Sequence, residues 1–285
     1  MSIILENVNY VYMKKTPYEK TAIGNINLEI KRGEFVGIIG HTGSGKSTLL
    51  QHLNGLLKPT TGIVSVDGQD LNVKGEAARN AKRSVGMVFQ YPEHQLFEET
   101  VYDDIAFGPR NIGIEEEDVD RRVKRVMEMV GLNYDQFAKR TPFQLSGGQM
   151  RRVAIAGVIA LQPEYLILDE PSAGLDPRGR DEIFGQIIKM YKDTGITVVL
   201  VSHNMEDIAR MANRLIVMKD GAISLDGSPI EIFSNFQAEL AAAGVNVPPL
   251  TALMNKFKQS GLAVDHTVVT MDAAVDSILT AVGRR

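Results

Sequence analysis

Hydrophobic positions in this chain fall into runs of three kinds. Phe35-Val36-Gly37-Ile38-Ile39, Ser84-Val85-Gly86-Met87-Val88-Phe89, Tyr165-Leu166-Ile167-Leu168 and Thr197-Val198-Val199-Leu200-Val201 are short and almost unbroken. Such runs predict strands buried on both faces, as in a parallel sheet. A second kind alternates. In residues 1–34, Ile4, Val8, Tyr10 and Tyr12 share one parity, and Ile26-Asn27-Leu28-Glu29-Ile30 alternates before a turn at Lys31-Arg32-Gly33. These predict antiparallel strands, separated by the polar Lys14-Lys15-Thr16-Pro17. Ile63-Val64-Ser65-Val66 enters an Asp67-Gly68 turn, which predicts a hairpin joining that sheet, and a terminal hairpin is expected around Lys219-Asp220-Gly221.

The third kind has helical spacing. From about residue 95 to 160 the pattern is helical, with Val119, Val123, Val126, Met127 and Val130 forming one apolar stripe. Glu115-Glu116-Glu117-Asp118 opens that helix, and acids in a first turn suit the helix dipole better than they suggest a ligand site. Another helix is expected over roughly 178–193. Strands alternating with helices predict an α/β fold, its mostly parallel sheet covered on both faces. Beyond about 228 the chain turns small and helix-prone (Ala238 to Ala243), breaks at Val247-Pro248-Pro249, and is amphipathic from Leu250 to Ser260. Thr270 is then expected to cap a last helix carrying Ala273, Val275, Ile278 and Leu279.

Composition narrows the function. The 285 residues carry 31 basic and 35 acidic side chains, net −4, with no long basic block, which argues against direct nucleic-acid binding. There are no cysteines, so disulfides and thiolate metal sites are excluded. The longest apolar stretches, Val153 to Leu161 and Ile196 to Val201, fall well short of the roughly 20 residues a membrane span needs. The start, Met1-Ser2-Ile3-Ile4-Leu5-Glu6, lacks a basic region ahead of an apolar core, so no signal peptide is expected. Any membrane role is expected to come through a partner.

The candidate chemistry centres on Gly40-His41-Thr42-Gly43-Ser44-Gly45-Lys46-Ser47-Thr48. It follows an apolar strand and precedes helix-forming residues, the setting of a phosphate-binding loop. Its glycines let successive N–H groups turn inward, and the helix N-terminus favours a polyanion. Lys46 can reach terminal phosphates and the Ser47 hydroxyl can sit on Mg²⁺. Asp169 and Glu170 end a second buried strand; Asp169 fits the holding of Mg²⁺ and Glu170 the polarising of an attacking water. His203 ends a third strand. The other histidines, His41, His52, His94 and His266, are read as structural or surface residues.

Leu145-Ser146-Gly147-Gly148-Gln149, taken in order with Gln90, Ser172-Ala173-Gly174-Leu175-Asp176 and His203, makes the chain resemble the nucleotide-binding domain of ABC ATPases over residues 1 to about 230. The resemblance implies an ABC-type domain: a RecA-like, mostly parallel core sheet, an antiparallel β subdomain and a helical subdomain at about 95–160. Residues 231–285 lie outside the resemblance and read as a small helical extension. The resemblance also implies ATP and Mg²⁺ as ligands. Tyr12 would stack on adenine, with Tyr10 as rival, and residues 40–48 would hold the phosphates. Lys46, Gln90, Glu170 and His203 would act in hydrolysis, and Ser47, Gln90 and Asp169 on Mg²⁺. Ser146, Gly147, Gly148 and Gln149 would cap the nucleotide held by another subunit, and Asp176 would lie in the turn that contacts it.

A narrower resemblance follows Gln90. Tyr91-Pro92-Glu93-His94-Gln95-Leu96-Phe97-Glu98-Glu99-Thr100-Val101, continuing to Pro109, is similar to the second, or A-prime, ATPase of energy-coupling factor (ECF) transporters, importers of vitamins and of cobalt or nickel. This implies a heterodimer with a second ABC ATPase contacted by the C-terminal helices, a transmembrane T subunit received by Gln95, Leu96 and Phe97 (ordinary packing of the helical subdomain being the equal alternative for these three), a substrate-binding S subunit, and a place on the cytoplasmic face of the membrane. The alternatives are an ATPase of another ABC transporter, or a non-transport ABC ATPase acting on DNA or ribosomes. The latter would be expected to carry a coiled-coil insertion or a second cassette.

Overall fold

In a computed structural model, residues 1–268 and 270–283 are described, and their strands form two sheets. In chain order these are β1 (Ser2–Tyr12), β2 (Lys20–Lys31), β3 (Phe35–Ile39), β4 (Thr61–Val66), β5 (Gln69–Asp70), β6 (Val85–Val88), β7 (Tyr165–Asp169), β8 (Thr197–Val201), β9 (Arg214–Lys219) and β10 (Ala222–Gly227). An antiparallel sheet has the order β2-β1-β4-β5, and a larger one the order β10-β9-β3-β8-β7-β6, parallel except for the β9–β10 hairpin.

The unbroken apolar runs are the parallel strands, and their side chains divide by parity. Val36 and Ile38 of β3, Ile167 of β7 and Val199 and Val201 of β8 face one core, shared with Leu49, Leu50 and Leu53 and with Ile3, Leu5 and Ile30 of the antiparallel sheet. Phe35 and Ile39, Leu166 and Leu168, and Val198 and Leu200 face the other. Strands buried on both faces have no polar parity, which is why the sequence shows none.

The helices are α1 (Lys46–Leu53), α2 (Glu76–Arg83), α3 (Val101–Asn111), α4 (Glu116–Met129), α5 (Tyr134–Phe137), α6 (Gly147–Ile159), α7 (Pro177–Thr194), α8 (Met205–Met211), α9 (Pro229–Asn235), α10 (Gln237–Ala242), α11 (Pro249–Gln259) and α12 (Met271–Ala281). Helix α1 lies in the core between the sheets, while α3, α4, α6 and α7 pack on the far face of the parallel sheet. The α4 stripe is as predicted, with Val119, Val123 and Met127 fully buried. None of the described helices is long and apolar enough to cross a membrane.

Three sequence expectations need correction. The single parity assigned to Ile4, Val8, Tyr10 and Tyr12 fails because β1 carries a bulge between Leu5 and Val8, with Asn7 at φ 48°. The extra residue shifts parity, so Ile3 and Leu5 are buried before it and Val8 after it, while Ile4 faces the other way. In α12 the inward residues are Ala274 and Ile278, whereas Ala273, Val275 and Leu279 are exposed, and the Thr270 hydroxyl makes no capping hydrogen bond. The packing also does not change hands at residue 230. Ile232, Phe233, Leu240, Ala243 and Val245 belong to the larger ATPase core, and a separate small cluster of Met254, Val264 and Ala274 begins only with α11.

Continuity past residue 230 makes a stability prediction. Phe233→Ala should cost about 3–5 kcal/mol by urea unfolding, the range for an aromatic removed from a packed core. Val275→Ala, at an exposed position, should stay within about 0.5 kcal/mol of wild type. Equal, small effects would place α9 outside the core.

Candidate active site

The parallel register brings the candidate residues to one edge. Loop 40–45 leaves the C-terminal end of β3, Gln90 follows β6, Asp169 ends β7, and His203 follows β8, so the carboxyl ends of four neighbouring strands converge. Ligands of open α/β sheets bind at this edge.

The loop itself requires glycine at two points. A Cβ on Gly40 (φ 153°) would stand 2.3 Å from the Met218 carbonyl oxygen, and one on Gly45 (φ 101°) 2.8 Å from that of Ala22. The backbone thus threads between two strands and turns into α1 with its first N–H groups free. Lys46 is buried, its Nζ donating to the carbonyls of Gly40 (2.8 Å) and His41 (3.0 Å). Burial pushes its pKa down, opposed by the nearby Glu170 and Asp169 carboxylates. The Ser44 hydroxyl is buried with no partner among the described atoms, and Gly43 faces open space. An unsatisfied donor, a curled lysine and free amides make a cradle that fits a polyphosphate.

Glu170 takes the left-handed conformation (φ 50°), and its N–H donates to Val201 O (3.0 Å) across to β8. That turn aims its carboxylate between two neighbours. His203 Nε2 lies 2.7 Å from Oε1, and Gln90 Nε2 donates to Oε2 at 3.0 Å. Asp169 is buried one residue earlier. Burial raises its pKa, the neighbouring Ser47 hydroxyl lowers it, and Glu170 raises it further. Ser47, Gln90 and Asp169 thus offer oxygen donors suited to a hard divalent cation. No cluster of three His or acidic side chains able to hold a metal occurs among the described residues.

Tyr12 is exposed on the adjoining β1, its hydroxyl 3.2 Å from Thr48 Oγ1 and its ring edge-on to Tyr10 at 4.8 Å. Tyr10 packs on His52 and the core, so Tyr12 is the ring open to a base. His52 is fully buried on Thr48 O, and burial lowers its pKa; it is a structural residue. His41 bonds its own loop at Thr42 O.

Ser146 caps α6 in a reciprocal box. Its Oγ accepts from Gln149 N–H (3.3 Å), and Gln149 Oε1 accepts from Ser146 N–H (3.0 Å). Gln149 is therefore committed within its own turn, while the N–H groups of Gly147 and Gly148 have no acceptor among the described residues. These residues line a cleft of about 550 Å³ with Gly174 and Asp176, to which no residue of the phosphate loop contributes. Within one chain the loop and the serine-glycine turn do not meet. Of the proposed partner groove, Gln95 and Phe97 are exposed but Leu96 is buried in the core, so packing accounts for Leu96.

Two features escaped the sequence reading. Ala243 O accepts from His41 N–H (3.3 Å), tying the end of α10 to the phosphate loop. Arg151, on the second turn of α6, is fully buried and pairs with Glu93. Its signal was present: Arg151, Ile155 and Ile159 are spaced four apart on the apolar face, and an arginine on such a face needs an acid partner.

Asp169 allows a pH prediction. An acid whose pKa is raised by folding keeps a proton that the unfolded chain has released. Stability therefore falls as pH rises from the ordinary carboxylate range through the folded value. Asp169→Asn should melt at or above the wild-type temperature at pH 7.5, the gap closing toward pH 4, by circular dichroism. A midpoint several degrees lower would mean that the ionised group is net stabilising.

Similarity to known proteins gives the family. The ABC transporter family profile matches residues 23–173. The energy-coupling factor transporter ATP-binding protein EcfA2 of Clostridium perfringens is 53% identical over 98% of this chain and 98% of its own length. The protein of that name from Clostridioides difficile is 48% identical over 100% and 99%. Among solved structures, cbiO1 of Clostridium perfringens, part of the ABC transporter complex cbiONQ, superimposes with a TM-score of 0.73 at 37% identity, covering 84% of this chain and 94% of that one. The dimeric ATP-binding cassette MJ0796 with ADP and Pi gives 0.70 at 32%, covering 80% and 98%. With its phosphate loop, its serine-glycine turn and near-full-length likeness to these proteins, this chain belongs to the ABC transporter family, among the ATP-binding proteins of energy-coupling factor transporters.

Proposed function

We propose that this chain hydrolyses ATP in a dimer, with its own loop and strand-end residues holding one nucleotide that a partner's serine-glycine turn completes, and that the dimer drives an ECF-type importer. The observation that carries this is the Glu170 carboxylate, held between Gln90 and His203 beside the phosphate loop. Lys46 would leave the Gly40 and His41 carbonyls for the β- and γ-phosphates, exchanging neutral acceptors for charged ones. Ser47, Asp169 and Gln90 would hold Mg²⁺, which supplies charge neutralisation at the phosphates. Glu170, half-buried between Gln90 and His203, would take a proton from the attacking water, with His203 orienting it. Tyr12 would stack on the adenine. The cleft at Ser146, Gly147 and Gly148 opens apart from its own loop, which supports its use by another chain.

The relatives' names extend the reading to partners. The dimer would most naturally pair this chain with a second ATPase, on the cytoplasmic face of the membrane and powering uptake of a vitamin, cobalt, nickel or another micronutrient through separate T and S subunits. Gln95 with the exposed, edge-to-face pair Phe97 and Phe107 (4.8 Å) would receive the T subunit. The outward stripe of Met271, Val275 and Leu279 on α12 would contact the sibling ATPase.

Glu170→Gln should retain ATP binding, accumulate a closed dimer by size exclusion and lower kcat by about 100-fold or more, the scale of general-base loss; unchanged turnover removes the assigned base. In a dimer of one Ser146→Arg chain and one intact chain, hydrolysis should fail at the nucleotide on the intact chain's loop, read by azido-ATP labelling. Failure only at the variant's own loop would rule out sharing.

A chain ending at Val247 keeps Leu240, Ala243 and Val245 in place. It should bind ATP as wild type does but pair about tenfold more weakly, roughly 1.4 kcal/mol, by analytical ultracentrifugation. An undiminished dimer would exclude the C-terminal helices from the contact.

A further inference from the structure

Arg151 spends every arm of its guanidinium inside the protein. Nε and Nη2 donate to the two oxygens of Glu93 (2.9 and 2.6 Å), a fork on a carboxylate. Nη1 donates to the carbonyls of Pro171 (3.2 Å) and Ala173 (2.6 Å). Tyr91 lies over the group, 5.9 Å from ring centroid to guanidinium carbon. The side chain of Arg151 is 2% exposed and that of Glu93 14%. Burial pushes the Glu93 carboxyl up, but its hydrogen bonds, Arg151 foremost, leave its pKa below the ordinary range.

The partners of this clamp matter more than its strength. Glu93 sits in a 3₁₀ turn (Pro92–Gln95), three residues after Gln90, whose amide donates to Glu170, and just before the exposed Gln95 and Phe97. Pro171 is the residue after Glu170, and Ala173 lies in the turn that leads to Gly174 and Asp176 in the serine-glycine cleft. Arg151 itself is on α6, which begins at that cleft. One side chain therefore joins the segment that carries Gln90, the segment that carries Glu170, and the helix whose first turn faces a second nucleotide. A side chain needed only to fill this space would be apolar, because a buried ion pair replaced by well-packed apolar residues is often neutral or stabilising.

We infer that Arg151, with Glu93, is a positioning residue for ATP hydrolysis: it holds Gln90 and Glu170 in register with the start of α6, so that the carboxylate is aligned only when the helical subdomain is docked. The inference rests on the assignment of Glu170 as the base. Arg151 touches neither nucleotide nor water; it acts through the two segments it ties together.

The test compares Glu93→Gln, Arg151→Lys and the double variant Glu93→Met with Arg151→Met in the full-length chain, paired with its partner ATPase. Three quantities are measured: the melting temperature, the affinity for a fluorescent ATP analogue, and kcat. The single variants should melt lower, and the double variant should regain most of the loss because no charge is left unpaired. In all three, kcat should fall about 10- to 100-fold, the cost of losing alignment, with nucleotide affinity within about threefold of wild type.

A double variant with wild-type kcat, or kcat losses that track melting temperature across the set, would reduce the pair to a structural staple. If the double variant fails to fold, Arg151→Lys decides: its charge is kept and its fork is lost, so wild-type kcat overturns the inference and a fallen kcat at unchanged affinity supports it. Glu170→Gln, run in parallel, separates the two assignments, since its unchanged turnover would remove the base while the behaviour of the pair is read independently.

Discussion

Parallel pairing of β3, β8, β7 and β6 is the constraint on which the rest of the molecule depends. Each strand is buried on both faces, so its register is fixed by two cores at once, and a slip of one residue would exchange them. Because the strands run the same way, their carboxyl ends form one edge, and residues as distant in sequence as Lys46, Gln90, Glu170 and His203 meet there. The antiparallel sheet adds Tyr12 to that edge through Thr48, and is itself tied to the parallel sheet by the Tyr165 hydroxyl, which donates to Asp67 (2.6 Å).

At that edge the structure accepts local cost for alignment. Glu170 is a non-glycine residue in the left-handed region, and Lys46 and Asp169 are both buried against the preference of their charged forms. Such groups gather where a polyanion and a cation are to be bound, since the ligand then supplies the missing counter-charges. The serine-glycine turn is built differently. Its capping box satisfies Ser146 and Gln149 within the chain and leaves the Gly147 and Gly148 amides without an acceptor among the described residues, donors available to an anion.

Much of this could be read directly from the residues. The unbroken apolar runs marked the parallel strands, the stripe from Val119 to Val130 marked α4, and the glycines from Gly40 to Gly45 marked the turn between β3 and α1, because each depends on local spacing. What escaped depended on distant partners or on a local break in period. The bulge at Asn7 reversed the parity of β1, and the packing of Ile232 and Phe233 onto the ATPase core moved the start of the separate C-terminal cluster toward α11. Leu96, for which the sequence left groove and packing both open, went to the core because its neighbours in space, not in sequence, are apolar.

Sequence alone determined the chemical types available and their order along the chain: a phosphate loop, two acids after a buried strand, a histidine after another, and a serine-glycine helix start. These follow from periodicity and from which backbone angles and donors a residue permits. Tertiary structure decided which groups share an acceptor and which stay apart. It placed Gln90 and His203 on opposite oxygens of Glu170, closed Arg151 on Glu93 and the Pro171 and Ala173 carbonyls, and kept Ser146 in a cleft away from Gly40 to Thr48. Those outcomes depend on strand order and helix docking, whose contacts join residues tens to more than a hundred positions apart, and no local pattern encodes a distance of that kind.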